Sequence, residues 1–404
     1  LYQAYQAQSD MMEPVRAFAG IALDSLGPRL NGAARPTALS NLTAAYDMIA
    51  RASLTHTRPP YGIDSIMVGN REVAVTEVAA DVTPFATLLH FKKDVDQAQP
   101  RVLIVAPLSG HFATLLRATV KTMLAEHDVY ITDWHNARDV PLADGPFTFN
   151  DYSAHMIRFL EKIGPGAHVV AVCQPCVATL VAVSVMAKND NPAQPRSMTL
   201  MAGPIDTRVN PTKVNELAKG KPIEWFEKNL IAKVPARYGG GGRMVYPGFV
   251  QLSAFMAMNM DRHVKAHREL YQNIANGETE KAAVTKAFYD EYFAVLDLAS
   301  EFYLETVKLV FQDHSLPLGL LTFDNQKVEP AAIKRTMLFT VEGEKDDICA
   351  VGQTLAAHDL CSSLRPSRKK HHMQAGVGHY GVFAGRAWQN QIYPMVKNVI
   401  LQSD

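Results

Sequence analysis

Cysteine is scarce in this chain, four residues in 404, and only Cys173 and Cys176 stand close together. That is too few for a disulfide framework at this length and agrees with a reducing compartment. Surplus charge is missing too. Lysine plus arginine number 40, and so do aspartate plus glutamate, which leaves no field for nucleic acid and no basic membrane anchor. No uninterrupted apolar run is long enough to span a bilayer, and the opening residues lack the basic-then-apolar design of a secretory signal. The expectation is a soluble, cytoplasmic protein. Apolar residues are plentiful at 48%, enough for a large core in one α/β domain with an insertion or in two domains.

Along the chain, residues 1–60 carry helical spacing punctuated by Gly27-Pro28 and Arg35-Pro36, which predicts an N-terminal helical arm. From Ile63 the period changes to two, and 65–69, 72–79 and 85–91 read as successive strands at an antiparallel sheet edge. An alternation typical of a parallel sheet follows: strands 102–106, 129–133, 168–172 and 197–202, with helices 111–126, 149–163 and 177–188 between them. After Gly203-Pro204 the rhythm breaks, and 204–330 shows helical spacing, no convincing strand and many aromatic and Met residues. The run Gly239-Gly240-Gly241-Gly242 offers a flexible hinge there. Strand signals resume at 336–341 and 369–374, joined by a predicted helix 351–361 and closed by a last helix 382–401. The fold class is α/β: a mostly parallel, doubly wound sheet over 61–203 and 331–404.

The chemistry centres on 168–187, where a β-branched run ends at Cys173 and a helix pattern begins at once. A sharp strand-to-helix turn lifts such a side chain above the sheet and aims the Gln174 backbone N–H at whatever Cys173 attacks. Serine enzymes of the α/β-hydrolase fold write this corner G-x-S-x-G; here it reads Ala171-Val172-Cys173-Gln174-Pro175. Proline suits the first helical positions, where its missing N–H would be unpaired anyway. Other readings of the stretch stay open. Cys173-Gln174-Pro175-Cys176 is also a C-x-x-C of the kind seen in thioredoxin-like redox sites, or two inert buried cysteines. A metal site would need further ligands at suitable spacing, and Cys349 and Cys361 lie far off in sequence.

Context favours the nucleophile elbow. A thiol nucleophile needs a base, and the base an acid to fix its tautomer. Asp346, just past a late strand, and His379, in the glycine-flanked loop after the final one, follow Cys173 in the order that the α/β-hydrolase elbow demands. The oxyanion donors would be the Gln174 N–H and another from Leu108 or Ser109, in the turn after the first parallel strand. The helical insertion would sit over the C-terminal edge of the sheet as a lid. Trp225, Tyr246 and Phe249 are its candidate pocket residues. No cofactor or metal is required.

Cys173-Gln174-Pro175, the run from Val341 to Cys349 and Gly376-Val377-Gly378-His379-Tyr380-Gly381 resemble the corresponding segments of the intracellular poly(3-hydroxybutyrate) depolymerases. The resemblance extends over most of the chain. That family is similar to the polyhydroxyalkanoate synthases, which also use a cysteine nucleophile, and Asp133-Trp134 is similar to both. The resemblance implies Cys173 as nucleophile, His379 as base, Asp346 as its orienter, and the amorphous polyester of storage granules as substrate and partner surface. It also implies coenzyme A as an alternative acyl acceptor. Pro175 in the second glycine position favours the depolymerase side.

The corner geometry sets a direct test. Cys173→Ala is expected to abolish turnover, whereas Cys176→Ala should keep most of it and cost about 1 kcal/mol of stability as a small cavity. Equal loss in the two variants would instead favour a redox pair.

Overall fold

The computed structural model describes residues 1–26, 37–95, 97–258 and 260–404. The predicted breaks at Gly27-Pro28 and Arg35-Pro36 lie outside the described residues. Two helices, Tyr2–Leu26 and Thr37–Ala50, form the N-terminal arm. Strands β1 (Ser65–Val68), β2 (Arg71–Val82) and β3 (Ala86–Lys93) follow, then β4 (Arg101–Val105), β5 (Asp128–Trp134), β6 (His168–Val172) and β7 (Ser197–Met201). Short strands β8 (Ala232–Lys233), β9 (Met244–Tyr246), β10 (Leu298–Ala299), β11 (Thr322–Phe323) and β12 (Gln326–Lys327) precede β13 (Met337–Gly343) and β14 (Lys369–Gln374).

Nine of these strands make one sheet in the order β1-β2-β3-β5-β4-β6-β7-β13-β14. β1 to β3 pair antiparallel, as does β3 with β5, and every other pairing is parallel. The parallel strands read as continuous apolar runs because helices cover them: all residues of β6, β7 and β13 are buried. Helices Phe149–Ile163 and Pro175–Lys188 pack on one another. The first begins in a capping box, with Thr148 and Asp151 each accepting from the other's backbone N–H. Helix Arg117–Leu124 meets the C-terminal segment, where Thr119 Oγ1 donates to the Phe383 carbonyl at 2.6 Å and the Tyr393 hydroxyl to Glu126 at 2.9 Å.

Several expected elements differ, each for a local reason. The 111–126 helix is a 3₁₀ turn, Ala113–Leu116, followed by the α-helix Arg117–Leu124. The segment 351–361 is mostly turns, with a helix only at Ala357–Leu360. Its amides are taken by the buried Glu342 carboxylate, which accepts from Gly352 at 2.9 Å, Thr354 at 2.8 Å and Leu355 at 2.9 Å. Such bonds replace the helical ladder. The closing helix is broken into a 3₁₀ turn, a π-turn at Trp388–Ile392 and the α-helix Tyr393–Ser403.

The 204–330 segment is helical but does contain strands: β8, β9 and β10 form an antiparallel ribbon, and β11 and β12 a hairpin. The hairpin turns through Asp324 and Asn325, both at positive φ, which these short polar residues tolerate. The glycine run is not a loose hinge. A Cβ on Gly239 would lie 2.6 Å from the Asp139 carbonyl oxygen, and one on Gly240 2.6 Å from that of Arg138. These glycines let two backbones pack face to face.

The arm is tied to the insertion by polar contacts. The Tyr2 hydroxyl donates to Asp297 Oδ2 at 2.7 Å, Gly248 N donates to Oδ1 at 2.9 Å, and Tyr5 stacks on Phe249 with centroids 4.0 Å apart. Burial raises the Asp297 carboxyl to about 6 against these stabilising bonds.

One glycine carries the corner of the sheet. A Cβ on Gly203 would lie 2.2 Å from Cys176 Cβ and 2.4 Å from its Sγ. Because Cys176 is wholly buried, neither side can move aside cheaply. Gly203→Ala is expected to destabilise by at least about 1–3 kcal/mol, the usual range for overpacking, read as a lower urea midpoint. Gly20→Ala, in helix Tyr2–Leu26 with nothing near its Cβ position, should raise that midpoint through a stability gain of up to about 1 kcal/mol.

Candidate active site

Cys173 occupies the strand–helix corner in a left-handed backbone conformation, φ 69°. A non-glycine residue there is uncommon, and the strain persists only where surrounding contacts over-determine it. Those contacts are visible. Cys173 N donates to the Met201 carbonyl at 2.8 Å on the neighbouring strand, and the Cys173 carbonyl accepts from Cys176 N at 3.1 Å as the helix begins. Pro175 is the first residue of helix Pro175–Lys188, which places the helix N-terminus directly behind the thiol. That end of a helix favours developing negative charge.

The acid and the histidine arrive on two loops held together by their backbones. Lys345 N donates to the Val377 carbonyl at 2.9 Å and Glu344 N to that of Gln374 at 3.0 Å. Gly343 allows this approach, since a Cβ there would lie 2.9 Å from the Val377 oxygen. Asp346 is fixed by accepting from Ile348 N at 2.9 Å and Cys349 N at 2.8 Å through Oδ1. Its Oδ2 meets His379 Nδ1 at 2.7 Å. Asp347 faces solvent instead.

His379 is buried, and burial alone would pull its pKa down. The charges of Cys173 and Asp346, together with the Asp346 hydrogen bond, outweigh that and hold the pKa well above the ordinary value. The Nδ1–carboxylate bond leaves Nε2 for the Cys173 side. Cys173 and His379 line the same cavity, and Asp346 holds the ring nitrogen of His379 on the far side.

The other cysteines stand apart from this chemistry. Cys173 is half-buried while Cys176, Cys349 and Cys361 are buried. Burial pushes the Cys176 and Cys349 thiols far up and Cys361 to about 12. The Cys176 thiol points at the Ala171 and Met201 carbonyls, at 3.4 and 3.6 Å. Among the described residues no group of three His, Cys, Asp or Glu is placed to hold a metal ion, and no helix is long and apolar enough to cross a membrane.

A cavity of about 530 Å³ opens over Cys173 and His379, within the usual range for small-ligand sites. The predicted residues Leu108, Ser109, Gln174, Trp225 and Tyr246 all line it. Phe249 does not. It is buried under the arm against Tyr2 and Tyr5, and its helical neighbours Val250 and Gln251 reach the cavity instead. Among the described residues the Gln174 and Ser109 backbone N–H groups have no acceptor, as an oxyanion site requires. Tyr303, stacked on Tyr246 with centroids 3.9 Å apart, and Phe302 complete the aromatic wall. Both were in the aromatic-rich insertion, but helical spacing alone could not say which ring turned inward.

Two residues missed in the sequence hold the site together. Glu342 clamps the segment behind Asp346, and Thr354 Oγ1, carried by that segment, exchanges hydrogen bonds with Gly203 N at 2.8 Å and Gly203 O at 2.9 Å. The segment behind the Asp346 loop and the strand end beside the Cys173 corner are thus coupled through one hydroxyl. The only available signal was Glu342 itself, an ionisable residue at the end of an apolar strand.

The sheet order, the elbow and the histidine–carboxylate pair define an α/β hydrolase of the esterase type. More particularly, the chain belongs to the PHB de-polymerase C-terminus family, whose model matches residues 202–404, half of the chain. The match takes in Asp346 and His379, while Cys173 precedes it. Among solved structures, the chain is similar to a thermophilic esterase from Thermogutta terrifontis, at 12% identity over 81% of this chain and 98% of that one, TM-score 0.41. It is similar also to a monoacylglycerol lipase from Paleococcus ferrophilus, at 10% identity over 76% and 97%, TM-score 0.44. An α/β hydrolase from Penicillium sp. sh18 matches at 14% identity over 82% and 97%, TM-score 0.45. No curated protein matches the sequence.

The charge balance at His379 is open to direct measurement. Asp346→Asn removes one of the two charges that raise the ring, so the histidine's NMR titration midpoint should move to lower pH than in the native protein. An unchanged midpoint would mean that Asp346 does not set the ring's charge.

Proposed function

We propose that this protein is a poly(3-hydroxybutyrate) depolymerase that cleaves the polyester through an acyl-cysteine. The observation that carries the reading is the His379–Asp346 hydrogen bond beside Cys173 at the base of an apolar, aromatic-walled cavity, in a chain of this family. Cys173 Sγ attacks the ester carbonyl, its proton passing to His379 while Asp346 holds the ring. The tetrahedral oxyanion is met by the Gln174 N–H, with the Leu108 or Ser109 N–H as the second donor. Collapse breaks the ester C–O bond, His379 returns the proton to the departing alkoxide, and a thioester remains on Cys173. Water, deprotonated by His379, then attacks the thioester to free a 3-hydroxybutyrate unit or oligomer and restore the thiol. Coenzyme A is an alternative acceptor, giving the hydroxyacyl thioester by thiol exchange. No metal or organic cofactor has a part in this scheme.

The 204–330 segment acts as the lid of this site, with the 1–60 arm packed on it and the hydrolase core formed by 61–203 and 331–404. The protein would work in the cytoplasm at the surface of storage granules, where Trp225 and Tyr246 receive the polymer. The test incubates purified protein with amorphous polyester granules and, separately, with a p-nitrophenyl ester. Soluble 3-hydroxybutyrate units should appear, and Trp225→Ala with Tyr246→Ala should slow granule breakdown more than small-ester hydrolysis. Net polymer growth from hydroxybutyryl-coenzyme A, with no soluble product from granules, would make the protein a synthase instead.

A further inference from the structure

A second cavity, of about 540 Å³, lies between the N-terminal arm and the insertion and shares no lining residue with the one over Cys173. Residues of helices Tyr2–Leu26 and Thr37–Ala50 line it from the arm, and residues of helices Met260–Ala275 and Thr279–Tyr292 from the insertion. Met256 of helix Gly248–Met258 lines it too, while Gln251 and Phe255 of that helix line the active cavity. Its volume is that of a small-ligand site, and the acyl-cysteine scheme leaves it unused.

The lining divides into an apolar and a charged part. Met12, Met48, Leu54, Met256, Leu270 and Phe293 supply the first, and its three methionines are unbranched side chains that adapt to ligands of varied shape. The second is a small ion network that binds arm to insertion. Asp47 accepts from Arg51 at 3.0 Å and also pairs with Lys286, and Arg51 reaches on to Asp290 at 2.7 Å. Two cations and two carboxylates thus cancel, which leaves Arg16. Half-buried, it lines the cavity with one guanidinium nitrogen 2.8 Å from the carbonyl of Ser9, itself a lining residue. Among the described residues no carboxylate pairs with Arg16. A guanidinium has five N–H donors in a planar fork that matches a carboxylate, and here four of them are free.

We infer that this cavity is a second binding site, for an amphipathic monocarboxylate, with Arg16 taking the carboxylate and Met12, Met48 and Met256 the apolar chain. One spare positive charge beside an apolar stretch selects such a ligand. A neutral molecule would leave the guanidinium unanswered, a polyanion would meet Asp290, and a short hydrophilic acid would leave the methionines bare. Two sources share this chemistry: a free fatty acid, and an acid-ended hydroxybutyrate oligomer of the kind that the proposed reaction releases. The site itself does not depend on the acyl-cysteine.

The test uses the whole chain carrying Cys173→Ala, so that no turnover enters the reading, with ¹³C at the methionine methyls. No methionine lines the active cavity, so the signals of Met12, Met48 and Met256, assigned by single changes to Leu, report the second cavity. Decanoate should shift all three saturably, and 1-decanol should bind about tenfold more weakly, the order that a hydrogen bond to a charged group contributes. Arg16→Gln should weaken decanoate by the same factor and leave decanol unchanged, while Arg16→Lys, which keeps the charge, should recover part of the loss. The linear trimer acid of 3-hydroxybutyrate, titrated in parallel, separates the sources: shifts of the same three signals support the oligomer, and their absence where decanoate binds supports a fatty acid. No shift of these signals with either acid would overturn the inference. So would equal affinity for decanoate in the native-Arg16 and Arg16→Gln chains, since the carboxylate would then not be recognised.

Discussion

At the strand–helix corner, Cys173 is held at positive φ because the next strand end comes close enough to grip it. Gly203 has no side chain, and this lets the end of β7 lie against Cys176, inside the first turn of the buried helix. Thr354 then bonds both the N–H and the carbonyl of Gly203, and Glu342 fixes the segment that carries Thr354. The same Glu342 stands one residue before the end of β13, which closes at Gly343 and leads on to Asp346. The Cys173 corner, the Asp346 loop and the His379 loop are thus positioned by one patch of close backbone packing. Its energetic character is steric: the geometry is set by what cannot fit as much as by what attracts.

Much of this was legible in the residues. The alternation of β-branched runs with helical spacing gave the parallel sheet, since both faces of those strands are covered and their composition shows it. The order Cys173, Asp346, His379 was readable because each stands just past a strand signal, and the glycines around His379 marked a turn. Asp346 rather than Asp347 meets the histidine because Asp346 also caps the amides of Ile348 and Cys349.

What could not be read was set by contacts distant in sequence. Residues 351–361 have a helical pattern, but Glu342 captures their amides. The four-glycine run suggested freedom, whereas the carbonyls of residues 137–140 press against it. Phe249 has the character of a pocket residue, yet an aromatic pair from the arm, some 240 positions away, claims its ring. Tyr152 sits on a helix whose apolar stripe reads simply as core, and only the fold shows its hydroxyl beside the elbow. Periodicity reports which face of a helix is buried and says nothing of what lies opposite.

The apolar lining of the cavity bears on how a turnover ends. An uncharged ester loses little on entering such a space, and an aromatic wall of Trp225, Phe302 and Tyr303 holds it by contact area. Ester hydrolysis then creates a carboxylic acid, which ionises at neutral pH, and a carboxylate in apolar surroundings is poorly solvated. The same wall that retains the substrate thus disfavours the product. The reaction changes its ligand from one that prefers the pocket to one that prefers water, so departure of the acid is driven by its own charge.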